Sequence, residues 1–199
     1  LRYSSNLSTL KYKNNDLLDY WKDFNNVSMY SSIDHFGDKL EYIRQNVNNK
    51  KVFENLELLL DTHIKVGINS VVSIYNIYYL YDFFEFLDRK GYIDRLHSLD
   101  LLYAFGELHT PAVLPEFAKI ELIEKLEQDH SSPLFKKLYN KFPSLEGSIL
   151  GLKTYINESN SKTFDDFLSF VSRLDRQYDK NINDIFPWLS KVIYEYKNS

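Results

Sequence analysis

Hydrophobic and polar positions change their spacing repeatedly along the first half of the chain, and each change predicts a different element. Residues 27–34 (VSMYSSID) alternate, with Val27, Met29 and Ile33 on one side and Ser28, Tyr30, Ser32 and Asp34 on the other, which is the two-residue period of a strand. Residues 65–73 (KVGINSVVS) repeat the pattern, setting Val66, Ile68 and Val72 opposite Gly67, Asn69 and Ser73. The opening segment sets Leu1, Tyr3 and Leu7 against Arg2, Ser4 and Asn6, and residues 96–104 predict a further strand. Between these segments the spacing becomes helical. Leu17, Trp21 and Phe24 mark a helix within residues 14–25, behind Asn14 and Asn15 as caps. Val52, Leu56, Leu59 and Leu60 mark one within 48–62, and Leu80, Phe83, Phe84 and Leu87 mark one within 76–90 that stops at Gly91.

Strands separated by helices predict crossover connections and a parallel sheet. An open doubly wound sheet buries both faces and needs both to be apolar, whereas three strands here carry one apolar and one polar face. The predicted fold class is therefore α/β, a partial (β/α) barrel or curved sheet whose outer face packs on helices and whose inner face lines a lumen. In such folds chemistry sits at the carboxyl ends of strands, here Asn6, Ser32 with Asp34, Asn69 with Ser73, and Tyr103. From residue 116 onward the period stays helical, through Phe117, Ile120 and Ile123, then Ile149, Leu152 and Ile156, then Phe164, Phe167, Leu168, Val171, Leu174 and Tyr178, then Ile185, Trp188, Leu189 and Val192. Ser132-Pro133 and Ser144 are the expected helix starts. The predicted division is residues 1–115 as the partial barrel and 116–199 as a helical C-terminal appendage.

Composition narrows the function. With 24 Lys and Arg against 28 Asp and Glu, the net charge of −4 disfavours nucleic acid and anionic membranes as partners. No apolar run approaches the roughly 20 residues that span a bilayer and no signal peptide is evident, so a cytoplasmic location is expected. Leu1 is not an initiator and the only methionine is Met29, which leads us to expect a chain cut from a longer one. The absence of cysteine excludes thiolate catalysis, Cys-ligated zinc and a self-ligated iron–sulfur cluster.

The five histidines show no HExxH or HxH spacing, and GxGxxG, P-loop and GxSxG motifs are absent. What remains is Ser31-Ser32-Ile33-Asp34-His35-Phe36-Gly37 followed by Tyr42-Ile43-Arg44. A strand ending in small hydroxyl and carboxylate groups binds ribose or amino-acid moieties, and an arginine shortly afterwards forks onto a carboxylate. On the other reading, Asp34 caps the next helix and Arg44 is a solvated surface charge. Asn69 is either a ligand contact or a polar residue satisfied inside the sheet, and Tyr75-Asn76 reads as a turn and cap.

At this segment the chain resembles the radical SAM superfamily, and more narrowly its phage- and metagenome-type proteins with a twitch domain. The resembling features are Ser5-Asn6-Leu7-Ser8-Thr9, SIDHFGDKLEYIR at 32–44, the helix start at Asn48 to Asn55, NSVVSIYN at 69–76, LPEFAK at 114–119 and SRLDRQYDKNINDIFPWL at 172–189. The resemblance implies that the chain begins within the third strand of a (β/α)6 partial barrel. It implies that Ser32 and Arg44 contact the amino-acid end of S-adenosylmethionine, with Asp34 near the rim, Asn69 toward the ribose and Tyr103 toward the adenine. The family's CxxxCxxC loop, which holds a 4Fe-4S cluster, is absent, and so is its second-strand segment. Residues 116–199 hold no cysteine for an auxiliary cluster.

The leading expectation is thus the C-terminal portion of a radical SAM enzyme. The complete enzyme would cleave S-adenosylmethionine to an adenosyl radical that abstracts hydrogen from a small-molecule or peptide substrate; this chain alone is expected to be inactive. The alternative is a non-catalytic binding module that associates through an exposed N-terminal sheet edge. A barrel enzyme using Asp34 and His35 as an acid–base pair ranks last, because neighbours on a strand face opposite sides.

Overall fold

The computed structural model describes residues Leu1–Ser199. The chain divides into two compact units, Leu1–Val71 with Phe83–Leu101, and Val72–Asp82 with Leu102–Ser199.

The elements up to the end of the sheet are β1 (Arg2–Ser5), β2 (Lys11–Tyr12), β3 (Asn15–Asp16), α1 (Leu17–Trp21), β4 (Ser28–Ser32), α2 (Gly37–Ile43), α3 (Asn49–Leu60), β5 (Lys65–Val72), α4 (Leu80–Arg89), α5 (Tyr92–Arg95) and β6 (Ser98–Tyr103). The main sheet has the order β1-β4-β5-β6. Its strands run parallel: Arg2 to Ser5 pair with Ser28 to Ser31, and Ser28 to Ser32 pair with Lys65 to Asn69. The β6 side advances in the same sense, since His97 N–H donates to Val66 O and Ala104 N–H to Val72 O.

A strand order that follows the chain order, joined by crossovers of one hand, puts every connecting helix on the same face. The burial agrees. Met29 and Ser31 of β4, Val66, Ile68 and Ser70 of β5, and Leu99 and Leu101 of β6 are buried, while Ser28, Tyr30, Ser32, Asn69, Val71, Ser98 and Asp100 on the opposite face are half-buried. The α/β alternation with one polar sheet face follows the sequence expectation. The sheet is an open one of four strands, with β1 and β6 at its edges.

Under the buried face, α3 contributes Val52, Leu56 and Leu59, and α4 contributes Phe83, Phe84 and Leu87. Gly91 ends this helical run at φ +70°, a left-handed turn that glycine adopts without a Cβ clash. The segment 14–25 departs from expectation. Asn15 and Asp16 pair with Lys11 and Tyr12 in an antiparallel hairpin, and the helix shrinks to Leu17–Trp21 with Asp16 as its cap, its Oδ1 accepting the Leu18 N–H at 2.9 Å. Trp21 is buried, but Phe24 is exposed. Backbone pairing with Lys11–Tyr12 claims the residues that side-chain spacing assigned to the first turn.

After β6 the chain is helical: α6 (Glu116–His130), α7 (Pro133–Lys141), α8 (Pro143–Ile156), α9 (Phe164–Tyr178), α10 (Ile182–Ile185) and α11 (Pro187–Lys197). Ser132 caps α7 through the Phe135 N–H, and Thr163 with Asp166 forms a reciprocal capping box on α9. α8 starts at Pro143, so Ser144 lies inside it rather than capping it. The core of this unit gathers Tyr75, Phe135, Leu145, Leu152, Phe167 and Phe186. Tyr155 Oη donates to Ala104 O at 3.1 Å, and Tyr103 Oη donates to Ser148 O at 2.8 Å. The expected stripe on α6 is not the buried one: Ala118, Leu122 and Leu126 face inward, and Phe117 and Ile120 are exposed.

Candidate functional site

In the first unit, the parallel pairing of β4 with β5 makes Ser32, at the carboxyl end of β4, the direct partner of Asn69 in the second half of β5. Both belong to the half-buried polar face. Further toward the N-terminal end of that face, the Arg2 guanidinium lies over the Tyr30 ring at 4.4 Å.

Two residues beyond Ser32, the chain turns inward at Asp34, whose side chain is only 3% exposed. Its carboxylate accepts Arg44 Nε on Oδ2 at 2.7 Å and Arg44 Nη2 on Oδ1 at 3.1 Å, and Oδ1 also accepts the Val71 N–H at 2.8 Å. Asp34 therefore does not cap the next helix: the residue in that position is Phe36, which makes no side-chain cap. Nor is Arg44 a solvated charge; its side chain is 25% exposed and folds back from the end of α2. The fork engages Nε and Nη2, two of its five N–H donors. The ion pair thus ties the strand–helix turn after β4 to the last residue of β5 in this unit.

The turn itself is held by hydrogen bonds to side-chain oxygens. Gly37 sits at φ +62° with its N–H on Asn49 Oδ1 at 2.7 Å, and the Asn49 N–H donates to Glu41 Oε1 at 2.8 Å. His35 is buried, its ring 4.7 Å from Phe36 and 5.7 Å from Phe83 in stacked geometry. At the carboxyl end of β1, Leu7 takes φ +57° and its carbonyl accepts Asn55 Nδ2 at 2.7 Å. Asn55 was not among the sequence candidates. Its signal is a polar residue on the stripe Val52, Asn55, Leu56, Leu59, where an apolar one is the rule.

Ser32, Asp34, Arg44 and Asn69 thus belong to one carboxyl-terminal edge of the sheet, whereas Tyr103 belongs to the second unit. There its ring stacks on Tyr155 at 4.7 Å and 10°, and burial pushes its phenol pKa up, with Glu158 adding to the effect. Its hydroxyl also packs so closely on α8 that a Cβ at Gly151 would lie 2.4 Å from it.

The chain has no cysteine, and no group of three or more His, Asp or Glu side chains is placed to hold a metal ion. A 4Fe-4S cluster therefore does not fit the donors of these residues. No helix is long and apolar enough to cross a membrane. No protein-family model, curated protein or solved structure matches the chain.

Proposed function

We propose that these residues are the S-adenosylmethionine-facing portion of a radical SAM protein, with the cluster-binding cysteines supplied by residues outside this sequence. The observation that carries the reading is the Ser32–Asn69 pair on the polar sheet face, next along the chain to the Asp34–Arg44 fork. A hydroxyl and a carboxamide side by side offer donors and acceptors to a ribose or an amino-acid head. The Arg44 guanidinium offers a carboxylate a charge-assisted contact. Asp34 holds the guanidinium plane in place, so little side-chain entropy is lost when a ligand binds. The substrate in this reading is a small molecule or peptide, and no reductive step is assigned to these residues.

Calorimetric titration with S-adenosylmethionine tests this reading. Ser32→Ala and Asn69→Ala are each expected to weaken binding by about fivefold, as the loss of one hydrogen bond of about 1 kcal/mol predicts, with unfolding midpoints unchanged. No detectable binding to the unsubstituted chain rejects the reading.

The open edge of β1, with Arg2, Tyr3 and Ser4 exposed, favours a second reading as a non-catalytic module that joins its partner by strand addition. An isolated chain that stays monomeric and takes up no strand-forming peptide would reject that reading.

A further inference from the structure

The helix α6 is apolar on two faces, and only one of them is used. Ala118, Leu122 and Leu126 are buried, while Phe117 and Ile120 remain 37% and 52% exposed and Ile123 is half-buried. At 3.6 residues per turn, Phe117, Ile120 and Ile123 share one face with Glu116, Glu124 and Glu127. Toward its carboxyl end this face reaches a groove of about 250 Å³ floored by Leu126, Ile149 and Leu150, with Glu127, His130 and Lys153 around it. Leu150 is 56% exposed. Stripe and groove together form an apolar track along a helix about 22 Å long.

The charges along the track select what can cover it. Lys153 pairs with Glu127, Lys125 with Asp129, and Lys191 with Glu121. Glu116 and Glu124 have no such partner and stand directly beside Phe117 and Ile120, with Lys119 at the border of the stripe. A second copy laid antiparallel about Ile120 would oppose Glu116 with Glu124 on both sides, and one laid parallel would oppose each glutamate with itself. Either arrangement sets like charges together across an apolar seam, which is unfavourable. An anionic lipid surface meets the same repulsion. A helix carrying apolar residues at i, i+3, i+4 and i+7 with lysine or arginine beside them satisfies both the stripe and its acids.

We propose that the outer face of α6, with the α6–α8 groove, docks a basic amphipathic helix of a partner protein. The test uses a fluorescent peptide of about four helical turns with leucine at those positions and lysine elsewhere, and a second peptide with glutamate in place of lysine. Anisotropy should rise with the lysine peptide and not with the glutamate peptide. Raising ionic strength from about 0.1 M to about 1 M, which shortens the Debye length from about 10 Å to about 3 Å, should weaken the complex.

Ile120→Ser should weaken it about tenfold by removing buried apolar area, and Glu116→Gln with Glu124→Gln about threefold. Both variants change exposed side chains, and unchanged circular dichroism checks their fold. Equal binding of the two peptides overturns the proposal, as does unaltered binding by Ile120→Ser. A dimer in sedimentation that Ile120→Ser dissolves assigns the track to a second copy and also overturns it.

Discussion

Replacing Arg44 by alanine should cost the first unit stability as well as any ligand contact, and the size of the loss follows from what surrounds Asp34. That carboxylate is 3% exposed and accepts hydrogen bonds from Arg44 on both oxygens and from the Val71 amide. Without the guanidinium it loses both of these charge-assisted bonds, while the bond from the Val71 amide remains. At an effective dielectric near 20, two charges about 4 Å apart attract by about 4 kcal/mol, and removing one partner of a buried pair typically costs about 3–5 kcal/mol. Arg44 is itself 25% exposed, so water entering its place lowers this to about 2–4 kcal/mol.

Urea unfolding provides the assay, because Trp21 and Trp188 lie in different units. A Trp188→Phe background leaves Trp21 to report the first unit. With a urea slope of about 1–3 kcal/mol/M, the Trp21 midpoint should fall by roughly 1–2 M. Asp34→Asn should be more damaging in the parent than in the Arg44→Ala background, where the guanidinium that the carboxylate binds is already gone. A loss below about 1 kcal/mol with Arg44→Ala, or equal effects of Asp34→Asn in both backgrounds, would refute a structural ion pair and return Arg44 to a purely ligand-binding role.

Two further outcomes test the packing. Gly67→Ala would place a Cβ 2.3 Å from Ser98 Oγ and 3.1 Å from the Tyr30 ring, so it should destabilise by about 1–3 kcal/mol. Adding Ser98→Ala should recover most of that loss, and a neutral single substitution in the urea midpoint would contradict the close approach. Burial lowers the pKa of His109, so below its ordinary value of about 6.5 the unfolded chain takes a proton that the folded one resists. Stability should therefore decline as pH falls from about 6.5 through the depressed folded value, and His109→Gln should flatten that part of the curve in thermal melts taken between pH 7 and 5.

The alternation of Val27, Met29 and Ile33 against Ser28, Tyr30 and Ser32, and of Val66 and Ile68 against Asn69, determined two strands and which of their faces would be buried. The stripe Leu80, Phe83, Phe84 and Leu87, ended by Gly91, determined α4 in the same way. These features are local, since the periods of 2 and 3.6 are written within one element. Polar faces on consecutive parallel strands also made a one-sided sheet legible in the sequence.

Only the tertiary structure decided the rest, because each remaining choice depends on a neighbour distant in the chain. Asp34 and Arg44 are ten positions apart, and their spacing alone fits a cap and a surface charge as well as a fork. The fork forms because the turn after β4 brings Asp34 to the Val71 amide of β5, and Arg44 at the end of α2 meets it there. Asn15 and Asp16 entered a hairpin because Lys11 and Tyr12 offered them backbone partners. α6 has two apolar faces of similar strength, and its sequence holds no means of ranking them. The packing of Ala118, Leu122 and Leu126 left Phe117 and Ile120 outside, where the burial of one face is settled by the surfaces that meet it.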